Sequence, residues 1–256
     1  MRYRRHVPYL WFYALGYFVI LEAMLVAAVL YWPEFDQNRG AIRVLMSSIP
    51  AASEILDQME SAGSYGYVAM QHFFKGCNTL GSAGAILFAS GAIAGEAHRG
   101  TLEILLARPI PRWRTLLERY LAGFAAFAVP IVVSSLTIPW LCTFVDTEIA
   151  LSTVLLGSLH EVAFLSVVHA VTFFLSVRGD NPIRIALTVI FGALLSFALY
   201  FVKTVSSYSP FRLTDVDEFL RIKDTQTLDP TRAVPLLAIT LCFYVAAHRS
   251  FQRRLP

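Results

Sequence analysis

Six long apolar stretches, each near the length of a membrane-crossing helix, dominate the pattern of hydrophobic and polar positions. A helix needs roughly 20 apolar residues to cross the hydrocarbon core of a bilayer. The pattern therefore predicts an all-α, polytopic membrane protein whose single transmembrane domain fills residues 1–256. The predicted spans cover residues about 8–31, 70–94, 115–145, 149–177, 183–202 and 233–247. The last span is short, so it needs its flanks, a thin bilayer or protein neighbours to cross.

Apolar residues also recur at helical spacing in the two long loops between spans, 33–69 and 204–232. Such spacing is typical of short amphipathic helices, which here are expected on the outer face of the membrane. In the first loop the sets are Ile42, Leu45, Met46 and Ile49, then Ala52, Ile55, Leu56 and Met59. In the last loop they are Val216, Phe219 and Leu220, with Thr214 as the predicted N-cap and Asp217 three positions on. These helices either roof the bundle or gate a substrate path.

Composition supports membrane residence. Apolar residues make up 56% of the chain and charged residues 15%, whereas a soluble domain carries about 25% charged residues. This excludes a disordered chain, a disulfide scaffold and an ordinary cytosolic enzyme. The three cysteines, Cys77, Cys142 and Cys242, fall in apolar stretches and are interpreted as small core residues.

The distribution of charge predicts the orientation of the spans. With the N-terminus in the cytoplasm, the inner segments hold 13 of the 21 Lys and Arg residues and four acids. The outer segments then hold eight basic and twelve acidic residues, as expected when positive loops stay inside. Arg2, Arg4 and Arg5 resemble the start of a signal peptide, but the apolar stretch that follows is too long and ends without a cleavage site. We therefore expect that the first span is retained and that both termini lie in the cytoplasm. The expected location is the cell inner membrane.

No catalytic motif is evident. The lysines Lys75, Lys203 and Lys223 do not follow glycine, so no phosphate-binding loop is predicted and ATP must be hydrolysed by another chain. His160-Glu161 begins a zinc-protease motif that Phe164 interrupts, and His169 is out of phase with His160 on a helix, which disfavours an intramembrane enzyme built on these residues. We expect neither a metal nor a cofactor bound by this chain, and no nucleic-acid partner.

Two acids and a glycine pair stand out within the spans. Glu22 and Glu161 fall near mid-span, where a carboxylate must face protein or water or be protonated. They either line a transport path or form helix–helix hydrogen bonds. Gly91 and Gly95 form a G-x-x-x-G pair, which predicts close helix packing.

The segment after the second span, residues 95–113, is the most informative. Gly100-Thr101 is predicted to begin a short helix, residues about 100–109, with Thr101 as N-cap. Leu102, Leu105, Leu106 and Pro109 form one apolar edge, and Pro109 and Pro111 end the helix. Such a helix either packs under its own bundle or inserts into a groove on a soluble partner.

This segment resembles the cytoplasmic connector in the membrane subunits of type-2 ABC exporters. Those connectors carry a Glu, then Gly-Thr-Leu-Glu, two Leu, a small residue, Pro and Arg, and the matching positions here are Glu96, Gly100, Thr101, Leu102, Glu103, Leu105, Leu106, Ala107, Pro109 and Arg112. The six spans and the amphipathic first outer loop extend the resemblance over most of the chain. The family usually carries a longer amphipathic helix before the first span, where about seven residues stand here.

The resemblance implies a non-catalytic permease subunit of an ATP-driven exporter. It implies pairing with a second copy or a homologous permease, and recruitment of an ABC ATPase, which holds ATP and Mg²⁺. The connector would act as the coupling helix, and the residues implied in ATPase coupling are Glu96, Arg99, Gly100, Thr101, Leu102, Glu103, Leu105, Leu106, Pro109 and Arg112. An accessory protein at the outer face is a further expected partner. The alternative is a membrane anchor or scaffold that keeps the permease fold without translocating a solute.

Overall fold

The computed structural model describes residues 6–46, 50–107, 109–202 and 204–254, and this part of the chain is mostly helical, with no β-strand. The predicted positions Arg2, Arg4, Arg5, Ile49 and Lys203 lie outside the described residues. The α-helices are α1 His6–Gln37, α2 Arg39–Met46, α3 Pro50–Ser61, α4 Ser64–Val68, α5 Ser82–Ser90, α6 Ala94–His98, α7 Leu102–Leu106, α8 Arg112–Cys142, α9 Leu151–Arg178, α10 Pro182–Tyr200, α11 Val216–Thr225 and α12 Pro230–Gln252. A π-helix covers Ala69–Gly81, and three short 3₁₀ helices cover Thr143–Val145, Ser206–Tyr208 and Pro210–Thr214.

Five helices in the described part of the chain are long and apolar enough to cross a membrane: α1, α8, α9, α10 and α12. The predicted second span differs in kind, because it is a composite of α4, the π-helix and α5 that ends at Ser90. The remaining predicted residues, 91–94, form a turn and the start of α6. A π-helix of 13 residues is rare, and π-helical turns often mark functional sites.

The last helix is longer than the sequence pattern predicts. α12 has 23 residues, or roughly 34 Å at 1.5 Å per residue, which is enough to cross the hydrocarbon core. Asp229 caps it by accepting a 2.8 Å hydrogen bond from the main-chain N–H of Thr231, and Pro230 fills the first helical position. The residues on both sides of the short apolar stretch 233–247 are also helical, so α12 has the flanks that this stretch needs to cross.

The helix ends cluster at two opposite ends of the bundle. At one end, which we call the connector end, the start of α6 contacts the end of α9, and Arg112 at the start of α8 contacts Gln252 at the end of α12. At the other, the loop end, the hydroxyl of Tyr65 donates a 3.1 Å hydrogen bond to the carbonyl of Phe219 in α11. Successive long helical segments therefore alternate in direction.

The loop end is roofed by short helices, as one of the two sequence interpretations proposed. In α3, Leu56 and Met59 are buried against Trp32, Phe35 and Tyr67. In α2, Ile42 packs against the same cluster, whereas Leu45 is 77% exposed.

The helix α11 also belongs to this roof. Its Val216 and Phe219 are buried in the main core, and Leu220 packs against it. Asp215 is the N-cap, since its carboxylate accepts from the N–H of Val216, so the prediction of Thr214 as cap is wrong. Thr214 instead exchanges hydrogen bonds with Asn78 of the π-helix.

The close packing predicted for the Gly91-x-x-x-Gly95 pair is not seen within this chain. Gly91 lies in the turn after α5 and Gly95 in α6, and a methyl group on Gly91 would meet nothing within 4 Å. Close helix contacts occur instead at Gly123, where a methyl group would lie 2.8 Å from the His169 ring. Cys242 departs from expectation too: it is exposed, whereas Cys77 and Cys142 are buried.

Candidate functional site

The connector, residues 91–111, begins at a sharp break after α5 that a single side chain of α9 holds in place. The hydroxyl oxygen of Ser176 accepts hydrogen bonds of 3.1 Å from the main-chain N–H groups of Ile93 and Ala94. The same hydroxyl donates a 2.8 Å bond to the carbonyl of Ser90. Because Ser176 is fully buried, water could not take over these hydrogen bonds if its hydroxyl were removed.

Glu96 is the centre of an ion-pair network that joins the connector to α8. Its carboxylate lies 2.9 Å from the guanidinium of Arg119 and 3.2 Å from that of Arg99, and it accepts a short hydrogen bond from the hydroxyl of Thr101. Arg119 also donates to the carbonyl of Ala92. Burial by itself would raise the pKa of Glu96, but the bonds from Thr101 and Arg119, with the charge of Arg99, lower that pKa to about 2.

Thr101 therefore does not cap α7 as predicted. It occupies the position before the helix, but its side chain makes no capping bond and is turned back toward Glu96. Gly100 precedes it with a φ of +67°, a conformation that L side chains rarely adopt. The Gly-Thr pair thus shapes the turn between α6 and α7.

The apolar edge of α7 faces its own bundle. Leu105 is buried, and Leu102 and Leu106 pack against a core that includes Leu116 and Phe173. Two other apolar side chains of the connector are exposed, Ile104 on the opposite face of α7 at 63% and Ile110 beyond the end of α7 at 38%. Glu103 and Pro109 are exposed on the same segment.

Arg112 binds the end of the last helix. Its guanidinium donates to the main-chain carbonyls of Gln252 at 3.0 Å and Arg254 at 2.9 Å. Arg254 in turn donates to the carbonyl of Val177 and pairs with Asp180 beyond the end of α9. The C-terminal turn of α12 is thereby tied to both α8 and α9.

A lateral groove of about 950 Å³ opens between α1, α5 and α8. Its walls are apolar over most of their length, with residues such as Phe12, Ile20 and Leu87. Its connector end is charged, because Glu96 and Arg119 line it there. The ion-pair network therefore stands between the connector and the groove.

The two intramembrane acids have different surroundings. Glu22 of α1 accepts a 2.8 Å hydrogen bond from the hydroxyl of Thr137 in α8, so it links two helices as one sequence interpretation proposed. Glu161 of α9 is fully buried, and neither carboxylate oxygen has a hydrogen-bond partner among the described residues. A path-lining role for either acid stays a prediction.

The position of Glu161 follows from its neighbours on α9. One turn before it, Gly157 packs against Phe73, and one turn after it, Leu165 packs against Gly81. Glu161 therefore faces the middle of the π-helix. His160 and His169 bind main-chain carbonyls in different parts of the bundle, those of Leu213 and Ala85.

Two residues of this site were not predicted. Arg119 follows Arg112 by seven residues, or about two helical turns, and therefore lies on the same helix face inside a predicted span. An arginine at such a position indicates a buried acidic partner and could have been used to find the ion pair. Ser176 carried no such signal, because a serine in an apolar helix commonly bonds to its own backbone.

An all-helical bundle with several helices long enough to span a bilayer and an ordered connector at one end defines a polytopic membrane protein. The family model described as "ABC-2 family transporter protein" matches residues 4–254, so the chain belongs to this family. It is a membrane component of an ABC transporter, as the connector motif predicted. None of the curated proteins matches the chain.

Proposed function

We propose that the chain is the permease subunit of an ATP-driven exporter, that it pairs with a second permease, and that it recruits a separate ATPase through its connector. ATP and Mg²⁺ would be held by that ATPase. The observation that carries the proposal is the division of the connector into two sides. One side is anchored to the bundle by Leu102, Leu105 and Leu106. Ile104 on the opposite face of α7, and Ile110 beyond the end of this helix, are exposed.

The anchored side suits the connector to transmit force. Glu96 joins it to Arg119 of α8, and Ser176 joins its first turn to α9. Arg112, the first residue of α8 after the connector, joins α8 to α12. A displacement applied at Ile104 would therefore reach three long helices through charged or multiple hydrogen bonds, which are stronger than single neutral ones.

Six crossings with both termini in the cytoplasm follow from the same proposal. The composite segment from α4 to α5 would provide the crossing that lies between α1 and α8. Cysteines introduced at Ser53 and Thr225 in a cysteine-free background should react with an impermeant maleimide in intact cells. Cysteines at Arg99 and Gln252 should react only after lysis, and labelling at position 99 in intact cells would invert the orientation.

The docking side is tested by charge. Replacing Ile104 and Ile110 together with Asp should abolish co-purification of the ATPase, because an unpaired carboxylate is costly to bury in an apolar contact. The membrane subunit should still insert and keep its thermal stability, since both side chains are exposed. A matched control replaces Val44 and Leu45, exposed apolar residues of α2, with Asp and should retain the ATPase.

Retention of the ATPase by the Ile104 and Ile110 double variant would show that this side is not the dock. If a pulldown from native membrane yields stable partners but no ATPase, the result would favour the alternative that the chain is a membrane anchor or scaffold. Replacing Leu102 and Leu106 with Asp is the less specific experiment, because those residues stabilise the bundle itself.

A further inference from the structure

The lateral groove between α1, α5 and α8 is open because small residues stand in its walls. Gly16 of α1 and Gly91 in the turn after α5 both line it, and a methyl group added to either would meet nothing within 4 Å. Ala83 and Ala122 add two more small side chains. Large side chains at Gly16 or Gly91 would enter the groove, so its volume of about 950 Å³ depends on these residues.

The first turns of α1 form one wall of the groove. Farther along α1, Leu21, Leu25 and Val29 recur every four residues and are buried in the main core. Nearer the connector end, Phe12 and Tyr13 line the groove and are nevertheless exposed. The groove is therefore left uncovered on its outer side by the described part of the chain.

The groove has the depth of one membrane leaflet. It is lined from Leu80, at the end of the π-helix, to Gly91, which is about 15 Å along the segment, or half of the roughly 30 Å hydrocarbon core. At the charged end, Arg119 is the last charged residue before the 26 uncharged residues 120–145. A stretch of that length crosses the hydrocarbon core, so Arg119 lies at its edge, at the level of the lipid headgroups.

The charged end of the groove carries an excess of positive charge. Glu96 is shared by Arg99 at 3.2 Å and Arg119 at 2.9 Å, and Glu118 pairs with Arg114 at 2.9 Å. Within this group, three arginines and two glutamates leave a net charge of +1. The side chain of Arg99 is 51% exposed. A guanidinium group in this position can donate charge-assisted hydrogen bonds to a phosphate.

An apolar groove that opens sideways within a membrane is covered by lipid or by protein. In a pair of permeases related by a two-fold axis along the membrane normal, the positive ends of the two grooves would lie at the same depth, and like charges repel. A phospholipid brings the opposite charge at headgroup level and apolar chains along the rest of the groove. The shape and the charge of the groove therefore favour a lipid.

We propose that the groove is a binding site for an anionic phospholipid of the leaflet on the connector side. The phosphate binds Arg99, and the acyl chains lie between α1, α5 and α8. Because Arg99 also pairs with Glu96, the headgroup contacts the ion-pair network that joins the connector to α8. The site does not depend on the proposed ATPase docking or on the pairing of permeases.

The charged end is tested by native mass spectrometry of the purified chain in detergent. The probes are dioleoyl phosphatidylglycerol and dioleoyl phosphatidylcholine, which have the same acyl chains and differ in net charge. We expect the chain to retain the phosphatidylglycerol about tenfold more strongly, as one or two charge-assisted hydrogen bonds would provide. Arg99→Gln should abolish this preference, and Arg99→Lys, which keeps the charge, should preserve most of it.

The apolar part of the groove is tested by filling it. Gly16→Leu should reduce retention of both lipids about tenfold, because displacing about two buried methylene groups has that effect. Gly91→Leu fills the groove from another wall and serves as a second variant if Gly16→Leu does not fold. Gly192→Leu in α10 is the matched control: a methyl group there also meets nothing within 4 Å, but Gly192 lies outside the groove, so retention should not change.

Thermal unfolding in detergent shows which variants are folded, and three results with folded protein would overturn the proposal. The first is equal retention of the two lipids by the wild-type chain. The second is a preference for phosphatidylglycerol that Arg99→Gln leaves unchanged, which would place the headgroup elsewhere. The third is loss of paired copies from the spectra of Gly16→Leu with unchanged lipid retention, which would assign the groove to a contact between permeases.

Discussion

Arg119 and Glu96 lie 23 positions apart in the chain, yet the guanidinium of one stands 2.9 Å from the carboxylate of the other. Both side chains are largely shielded from solvent, at 17% and 10% exposure. The pair joins the connector to the long helix α8, so its loss should lower the free energy of unfolding of the protein.

Replacing Glu96 with Gln should lower the stability of the purified protein by about 1–3 kcal/mol, because Arg119 would keep its burial and lose its charged partner. Because the pKa of Glu96 is lowered to about 2 from its usual 4.5, its stabilisation is complete above pH 4.5 and is lost as the pH falls toward 2. Thermal unfolding of wild type and Glu96→Gln should therefore converge as the pH falls through that range.

Glu103→Gln is the matched control, since Glu103 is an exposed acid on the same connector. It should change stability by less than about 0.5 kcal/mol and leave the pH profile as in wild type. Equal effects of the two substitutions would mean that the network around Glu96 contributes nothing particular.

Ser176→Ala should destabilise the break before the connector. It removes the acceptor for two buried N–H groups and the donor to Ser90, at a cost of about 1–3 kcal/mol. Amide hydrogen exchange at Ile93 and Ala94 should accelerate. Ser158→Ala on the same helix should have a smaller effect, because the buried Ser158 bonds, among the described residues, only to the carbonyl of Leu155. Similar exchange rates in both variants would contradict the role of Ser176.

Arg112→Ala should loosen the end of α12 and leave ATPase binding intact. The last carbonyls of a helix lack intrahelical partners and favour a nearby positive charge, so losing Arg112 should cost about 1–2 kcal/mol. Carboxypeptidase digestion from the C-terminus should proceed further in the variant. Loss of the ATPase without a change in digestion would instead support the coupling role that the sequence motif implied for Arg112.

Gly123→Ala and Gly91→Ala should differ sharply. The methyl group at 123 would lie 2.8 Å from His169 and 3.1 Å from the carbonyl of Phe88, so we expect a loss of about 1–3 kcal/mol. At Gly91 the methyl group meets open space and φ is negative, so the change should stay within about 0.5 kcal/mol. A larger loss at Gly91, measured by thermal unfolding in detergent, would restore the G-x-x-x-G interpretation.

Sequence reasoning performed well where one physical requirement dominates. The long helices follow from the length that a bilayer imposes. The connector helix was predicted over residues about 100–109, but it covers only Leu102–Leu106 and ends three residues before Pro109. Sequence reasoning failed where several side chains compete for the same group. Thr101 has the composition of an N-cap, but a buried carboxylate beside it is the stronger acceptor.

The direction in which the apolar edge of the connector faces could not be predicted from the hydrophobic pattern either. Helical spacing places Leu102 and Leu106 on one edge, but it does not say whether that edge faces the bundle or a partner. That choice depends on Leu116 and Phe173, which come from other helices. The π-helix was not predicted either, because over a few turns the apolar periodicity of a π-helix cannot be distinguished from that of an α-helix.

The exposure of Cys242 has a practical consequence. Cys77 and Cys142 are shielded, so the unaltered chain offers one accessible thiol, near the middle of α12. A lipid-soluble nitroxide attached there would give one spin per subunit without any mutation. Pulsed dipolar spectroscopy would then detect a single interspin distance if two copies pair, and no dipolar modulation if the second permease is a different chain lacking such a thiol.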